Sequence, residues 1–463
     1  MSQTDFSSLN LPATIVENLS SLKYEVMTPI QAQSLPLMLE GRDVIAQAKT
    51  GSGKTAAFGL GLLQKLDAKN FRVQSLVLCP TRELADQVST EIRRLARGIG
   101  NVKVLTLCGG SPFGPQIGSL EHGAHIVVGT PGRIQKHLEK SSFDLENLTT
   151  FVLDEADRML DMGFQPALDA IAEYLPAQRQ TLLFSATFPK QIEAIAKRLM
   201  QDPAVVKVEE AHDESSIEQH FYKVNGNDER MDALRLLLMH HRPASTLIFC
   251  NTKRDTQDVA KKLRDDGFSV LALHGDLEQK DRDQTLVCFS NKSASILVGT
   301  DVAARGLDID ALDAVINYHI SPDSEVHVHR IGRTGRAGNK GIACSLYDSD
   351  KESYKIAVLE EYLEQTIKAE PLPATSVLSN PVLKPAMTTL RIEGGKKQKI
   401  RAGDILGALT AKNGITGKQV GKINLHDNWA YVAVNRDVVK VALSKLTDGK
   451  LKGRSFRVRQ IKS

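Results

Sequence analysis

The chain has 463 residues, enough for about three domains of ordinary size. No apolar run approaches the ~20 residues of a membrane span, and Met1 to Asn10 lacks the charged head and apolar stretch of a signal peptide, so a cytoplasmic protein without a membrane partner is expected. The net charge of +4 hides an asymmetry: Lys384 to Ser463 holds 18 Lys/Arg against five Asp/Glu, a local +13 that leaves the rest at −9. Such a basic tail suggests a polyanionic partner, the plain alternative being a solvated lysine-rich surface. Five cysteines (Cys79, Cys108, Cys250, Cys288, Cys344) without C-x-x-C spacing point to reduced, buried thiols rather than zinc or disulfides.

From Asp43 to about Met200, apolar strand-like runs alternate with helix-length segments: Asp43 to Gln47, Leu76 to Cys79, Val102 to Leu105, His125 to Val128, Thr150 to Leu153 and Thr181 to Phe184. Continuous apolar strands separated by helices predict a parallel sheet covered on both faces, with ligands at the carboxyl ends of the strands. After the first strand comes Ala48, Lys49, Thr50, Gly51, Ser52, Gly53, Lys54 and Thr55, which has the form of a phosphate-binding loop although Ala48 replaces its first glycine. Gly51 and Gly53 let backbone N–H groups turn toward phosphate oxygens, Lys54 reaches the outer phosphates, and the Thr55 hydroxyl can sit on Mg²⁺. A plain glycine turn beside a surface lysine is the competing reading.

After Phe151 to Leu153 stand Asp154 and Glu155, the first placed to hold Mg²⁺ through water and the second to orient and deprotonate an attacking water. Two acids there would otherwise simply cap a helix. A polar stretch, residues 208–216, reads as a linker between a first domain (1–207) and a second (217–369). In the second, Thr246 to Cys250, Ser269 to Leu273, Ser295 to Gly299 and Ala314 to Asn317 repeat the strand rhythm without a second phosphate loop. Arg330, Arg333 and Arg336, separated by glycines, suit a bidentate anion clamp, with a solvated basic loop as the alternative.

Prolines 371, 373, 381 and 385 mark residues 370–386 as a semi-extended linker. Residues 387–463 then fit a small β-α-β-β-α-β unit, with strands Thr388 to Ile392, Val420 to Leu425, Trp429 to Val434 and Phe456 to Ile461 and helices Ala402 to Ala411 and Asp437 to Leu446. The predicted fold is α/β: two tandem doubly wound sheets plus a small α+β tail.

The ordered set Thr28 to Gln31, Ala48 to Thr55, Pro80 to Leu84, Gly109 and Gly110, Thr130 to Arg133, Asp154 to Asp157 and Ser185 to Thr187 resembles the DEAD-box RNA helicases. The likeness continues through Ile248 to Thr252, Gln279 to Arg282, Thr300 to Asp308 and His329 to Arg336, and spans roughly Phe6 to Leu363. It implies two RecA-like domains, ATP with Mg²⁺, and RNA. By resemblance, Gln31 reads the adenine edge with Tyr24 stacking and Phe6 in support, Asp308 meets the ribose, and Arg333 and Arg336 complete hydrolysis with Lys54, Asp154 and Glu155. Asp157, Ser185, Thr187 and His329 couple nucleotide to RNA, and Arg82, Gly110, Thr130, Arg133, Asn251, Gly275 and Thr300 hold the RNA strand. Lys23 departs from the family, which has glycine there.

The tail resembles the RRM-like RNA-binding module of DbpA-type bacterial helicases, which implies a 23S ribosomal RNA hairpin in a precursor of the large subunit as partner and a role in ribosome biogenesis. The candidate contacts are Lys396, Lys397, Lys399, Arg401, Lys452 and Arg454, with Trp429 and Tyr431 at the stacking positions of the third strand. Core packing is the alternative for Trp429. The resulting expectation is a monomeric RNA-stimulated ATPase that opens short RNA helices. Its rivals are an ATP-gated RNA clamp and a DNA-acting motor.

Overall fold

Strands buried on both faces need helices on both sides, and the first sheet shows how the sequence meets that demand. In the computed structural model, which describes residues 5–48, 51–188, 190–208, 217–304, 311–335 and 340–461, the first seven strands are β1 (Val44–Gln47), β2 (Ser75–Leu78), β3 (Val104–Leu107), β4 (Ile126–Gly129), β5 (Thr150–Asp154), β6 (Gln180–Ser185) and β7 (Ala204–Lys207). They are all parallel, in the order β3-β4-β2-β5-β6-β1-β7. Alternate residues enter two separate cores: Val44, Ala46, Val77, Val152 and Phe184 on one face, Ile45, Leu76, Leu78, Phe151 and Leu183 on the other. The crossover helices are amphipathic. In Arg82–Leu95 the buried residues Leu84, Ala85, Val88, Ile92 and Leu95 form one stripe, and the Thr81 side chain caps the first turn by accepting from the Leu84 N–H at 3.3 Å.

The second unit repeats the plan with β8 (Ile217–Val224), β9 (Thr246–Phe249), β10 (Val270–Leu273), β11 (Ile296–Gly299), β12 (Ala314–Asn317), β13 (Gly341–Asp348) and β14 (Ala369–Glu370), in the order β10-β11-β9-β12-β13-β8-β14. Numbered from its own first strand, this is the order of the first sheet. Among the described residues the chain divides into two compact units, one ending at Val208 and the other running from Ile217.

Beyond β14 the proline-bearing stretch is not a loose spacer. Leu372 packs against the core of the second sheet, the Arg242 guanidinium donates to the Pro381 carbonyl at 3.1 Å, and Lys384 donates to the Gly267 carbonyl. The tail then forms β15 (Met387–Ile392), β16 (Val420–Leu425), β17 (Ala430–Asn435) and β18 (Val458–Gln460), antiparallel in the order β16-β17-β15-β18, with helices Ala402–Thr410 and Val439–Asp448 on one face. All five cysteines are free and buried. No helix among the described residues is long and apolar enough to cross a membrane.

Candidate nucleotide and RNA site

The loop after β1 has the geometry its glycines allow. Gly51 (φ 87°) and Gly53 (φ 94°) are left-handed, and Gly53 caps the helix Lys54–Gln64. A methyl group on Gly53 would lie 2.5 Å from the Gln31 amide nitrogen, so this glycine is required by space as well as by φ. Ser52 and Lys54 are buried and Thr55 is partly exposed in the first turn. Lys49 and Thr50 lie outside the described residues. The Ala48 N–H donates to the Ser185 carbonyl at 3.1 Å, which pins the first residue of the loop to the end of the neighbouring strand β6. The Ala48 carbonyl accepts from the Lys54 ammonium at 2.5 Å.

Lys54 is buried, which lowers its pKa, and the charges of Asp154 and Glu155 oppose that shift. Asp154, at the end of β5, is pushed up to about 7 by burial against the pull of Lys54. A cation beside it would return it to the carboxylate form. Glu155 is buried, left-handed (φ 54°, ψ 53°) and paired with Arg158 at 3.4 Å. A non-glycine residue in that conformation at the end of a central strand is a strained position held by its surroundings. Asp157 ties this turn to the next strand: its Oδ2 accepts from the Ala186 N–H (3.2 Å), the Thr187 N–H (3.0 Å) and the Thr187 hydroxyl (3.0 Å).

Gln31 is fixed from both ends. Its Oε1 accepts from the Thr28 N–H at 2.9 Å and its Nε2 donates to the Gly53 carbonyl at 3.0 Å, two bonds that use one of its two N–H groups and one of its two lone pairs. This link between the amide and the phosphate loop is not visible in the sequence. The Tyr24 hydroxyl donates to Glu91 at 2.7 Å, and buried Phe6 meets the Tyr24 ring edge-on at 6.1 Å. Lys23 is left-handed (φ 65°), so it occupies the backbone geometry that the family's glycine adopts without cost.

Across the same sheet, Arg82, Gly110 and Thr130 follow the adjacent strands β2, β3 and β4. Gly110 (φ 72°) leaves room for Arg82, whose Nη1 lies 2.2 Å from where a methyl group would be. Arg82 donates through Nη2 to the Ser111 hydroxyl at 3.0 Å, while its buried Nε and Nη1 have no partner among the described residues. Arg133 donates to the Ser111 carbonyl at 3.1 Å and to Gln116 at 2.7 Å. The result is a guanidinium with spare donors beside a bare backbone turn, which suits a phosphate.

In the second unit Asn251, Gly275 and Thr300 follow β9, β10 and β11, and Thr300 caps the short helix Asp301–Ala304 by accepting from the Ala303 N–H at 3.4 Å. Arg333 is buried and His329 half-buried in the last turn of the helix Ser324–Ile331. Asp308 and Arg336 lie outside the described residues. Arg330 does not join an anion clamp: it forms a buried two-point ion pair with Asp301 (2.6 and 2.7 Å) and also donates to Asn317 and the His319 carbonyl. Neither the expected clamp nor its alternative, a solvated basic loop, describes Arg330, because the acid that balances it lies 29 residues upstream.

In the tail, Lys396, Lys397, Lys399, Arg401, Lys452 and Arg454 are exposed. Trp429 is half-buried, with the Arg391 guanidinium 5.1 Å from its ring centre and His426 stacked at 5.9 Å. Tyr431 is fully buried, so in this structure its ring is packed rather than presented for stacking.

A phosphate loop closed onto two acids, at the strand ends of the first of two sheets with one shared topology, defines a RecA-like nucleotide-driven machine. Comparison with known proteins narrows this: residues 28–195 match the DEAD/DEAH box helicase family, 229–338 the helicase conserved C-terminal domain, and 389–460 the DbpA RNA binding domain. The chain belongs to the DEAD-box ATP-dependent RNA helicases, in their DbpA branch, and is accordingly an RNA-dependent ATPase that binds nucleotide and RNA. It is 52% identical over 460 residues to the ATP-dependent RNA helicase DbpA of Escherichia coli, covering 99% of this chain and 100% of that one. It is 45% identical over 341 residues to the DEAD-box ATP-dependent RNA helicase CshA of Geobacillus kaustophilus, 73% of each chain. Among solved structures, S. cerevisiae Dbp5 bound to RNA and ADP BeF3 matches with a TM-score of 0.72 at 29% identity, over 80% of this chain and 96% of that one.

Proposed function

We propose that this helicase opens short RNA helices locally, and that its tail addresses it to a 23S ribosomal RNA hairpin in a precursor of the large ribosomal subunit. The observation that carries this reading is the tail, whose match to the DbpA RNA binding domain sits within a likeness running the length of the E. coli helicase. Its +13 charge fits an RNA partner. The protein would act as a cytoplasmic monomer.

In the nucleotide site, Lys49 to Thr55 would cradle the phosphates and Gln31, Tyr24 and Phe6 would select adenine. Thr55 and Asp154 would hold Mg²⁺, which supplies charge neutralisation at the β- and γ-phosphate oxygens. A hydroxyl, a carboxylate and a buried ammonium together are the donor set such an ion and a triphosphate require. Glu155, its direction fixed by its left-handed backbone, would accept the proton of the attacking water. Arg333 and Arg336 would stabilise charge on the transferred phosphoryl group and Asp308 would meet the ribose, so that ATP favours a closed form and ADP an open one.

Arg82, Gly110, Thr130, Arg133, Asn251, Gly275 and Thr300 would grip phosphate and sugar, holding a strand without reading its bases, and a 2′-hydroxyl would supply the preference for RNA. Asp157, Ser185, Thr187 and His329 would pass the state of one ligand to the other. The test is an ATPase titration with a panel of 23S ribosomal RNA fragments, with and without residues 388–463. One fragment should stimulate at low concentration only when the tail is present. Equal stimulation by every RNA in both proteins would reject the address, and hydrolysis without strand release from a tailed duplex would recast the protein as a clamp.

A further inference from the structure

The phosphate loop, the two acids and the candidate RNA residues of the first domain all lie at the carboxyl ends of its strands. At the other end of that sheet, where β2 and β3 begin, lies a cleft of ≈ 400 Å³ that none of them lines. The helix Arg82–Leu95 separates the two places: it starts at the candidate RNA residue Arg82 and, at ~1.5 Å per residue, carries Arg93 ~16 Å away along its axis.

The cleft is cationic in an acidic body. Arg93, Arg97 and Lys103 line it beside Phe71 and Asn101, with no carboxylate among the lining residues, although residues 1–383 carry a net −9. Two of the cations are held by neutral acceptors, which orient them without cancelling their charge. Arg93 donates through Nη2 to the Val104 carbonyl at 2.9 Å and to the Thr106 hydroxyl at 3.3 Å, and the Lys103 ammonium donates to the Ser119 carbonyl at 3.0 Å. Desolvation lowers the Arg93 pKa; Asp86, two turns earlier in the helix, opposes that shift and does not line the cleft.

The aromatic wall is braced as well. Phe71 is 39% exposed, yet its ring rests on the buried His125 ring with centres 4.5 Å apart. The His125 Nδ1 accepts from the Lys103 N–H at 3.0 Å, so its Nε2 carries the proton donated to the Ala68 carbonyl at 3.2 Å. One neutral histidine thus ties the ring and a cation of the cleft together. Phe71 also borders a larger hollow, lined by Glu121, Asp144 and Glu146 against one cation, Arg72, so an anion is repelled from that side and belongs on the other.

We propose that this cleft is a second nucleotide-binding site, which takes a nucleoside phosphate with its base against Phe71 and its phosphate among Arg93, Arg97 and Lys103. An exposed ring gives any base a surface to stack on, and a guanidinium meets phosphate oxygens in pairs. The volume is of the order of a small-molecule pocket. The nucleotide comes either as a free monophosphate or as part of an RNA segment reaching behind the first domain, where it would give structured RNA a further hold.

The test uses the full-length protein with ADP and beryllium fluoride present to fill the phosphate-loop site. Calorimetric titration with guanosine 5′-monophosphate probes the free ligand, and binding of a structured ribosomal RNA fragment probes the RNA source. Both are compared with Arg97→Glu and Phe71→Leu, whose ATPase at saturating RNA should stay within about twofold of the parent because neither residue belongs to the strand-end sites. For a free ligand, the monophosphate should bind the parent and bind each variant at least about fivefold more weakly. For an RNA segment, the monophosphate should not bind, RNA affinity should fall at least about threefold in each variant, and the salt dependence of Arg97→Glu should be shallower by ~1 in log–log slope. Binding of both probes unchanged in Arg97→Glu would overturn the site, and binding unchanged in Phe71→Leu would overturn its assignment to a nucleotide.

Discussion

The two parallel sheets have one strand order and unequal strand ends. The candidate RNA residues sit at matching places: Arg82, Gly110 and Thr130 follow the second, third and fourth strands of the first sheet, and Asn251, Gly275 and Thr300 follow the same three of the second. The nucleotide residues have no such counterpart. After β1 come eight residues from Ala48 to Thr55 that build the phosphate loop, whereas after β8 a short turn at Asn225 and Gly226 (φ 76°) leads directly into the helix Gly226–His241, with Asp228 and Glu229 in its first turn. Two carboxylates at a helix N-terminus occupy the electrostatic position a phosphate would take. Asp154 closes β5 and Glu155 follows it, whereas buried Asn317, bonded to Ser345 at 3.0 Å, closes β12 and Tyr318 follows it. One topology thus places candidate RNA residues at the strand ends of both sheets and a candidate nucleotide loop at those of the first sheet alone.

The asymmetry can be broken on the nucleotide side. Glu155→Gln should lower ATP turnover by about 10²-fold or more while ATP and RNA still bind. Asp228→Asn, at the matching end of the second sheet, should leave turnover within about twofold. Steady-state ATPase and equilibrium binding on both variants check this, and undiminished turnover in Glu155→Gln would discard its role with water.

Arg330→Ala should come next in size. Removing one partner of a buried pair strands Asp301 and costs on the order of 3–5 kcal/mol. Urea unfolding followed by a probe in the second unit should show this loss, with the first unit's transition unmoved.

The second unit should also be the more acid-sensitive of the two. His327 is buried against Phe221, and burial, aided by Arg330, lowers its pKa to about 3. Folding therefore keeps it neutral while the unfolded chain takes up a proton below about pH 6.5, so its stabilising contribution is complete above that pH and is lost as pH falls toward 3. His327→Gln should flatten the stability profile over this window in hydrogen exchange of β12 and β13.

The smallest effect belongs to Lys23→Gly. Relieving a left-handed lysine at the end of the helix Ala13–Ser21 should stabilise the first unit by ~0.5–1 kcal/mol, read as a small rise in its urea midpoint.

The sequence made the site legible where chemistry is local. The phosphate loop, the acids after β5 and the apolar runs of β2, β4 and β5 need only neighbouring residues to be recognised. Strands β8 and β13 escaped because polar residues interrupt their apolar pattern, as in Glu218, Gln219 and His220. Long-range pairs escaped for a different reason: Gln31 on the Gly53 carbonyl and Arg330 on Asp301 are set by folding, and both looked like free functional groups. The burial of the second face of the tail's sheet was equally hidden, since Thr389 and Arg391, both buried, alternate with core residues just as solvent-facing ones would.

The central claim is that one bound triphosphate makes the protein grip RNA. It is tested most directly by measuring the affinity of the full-length protein for a single-stranded RNA with ADP, and again with ADP and beryllium fluoride. Affinity should rise at least tenfold with the ATP mimic, and by linkage RNA should tighten the mimic by the same factor. Equal RNA affinity in the two nucleotide states would contradict the account.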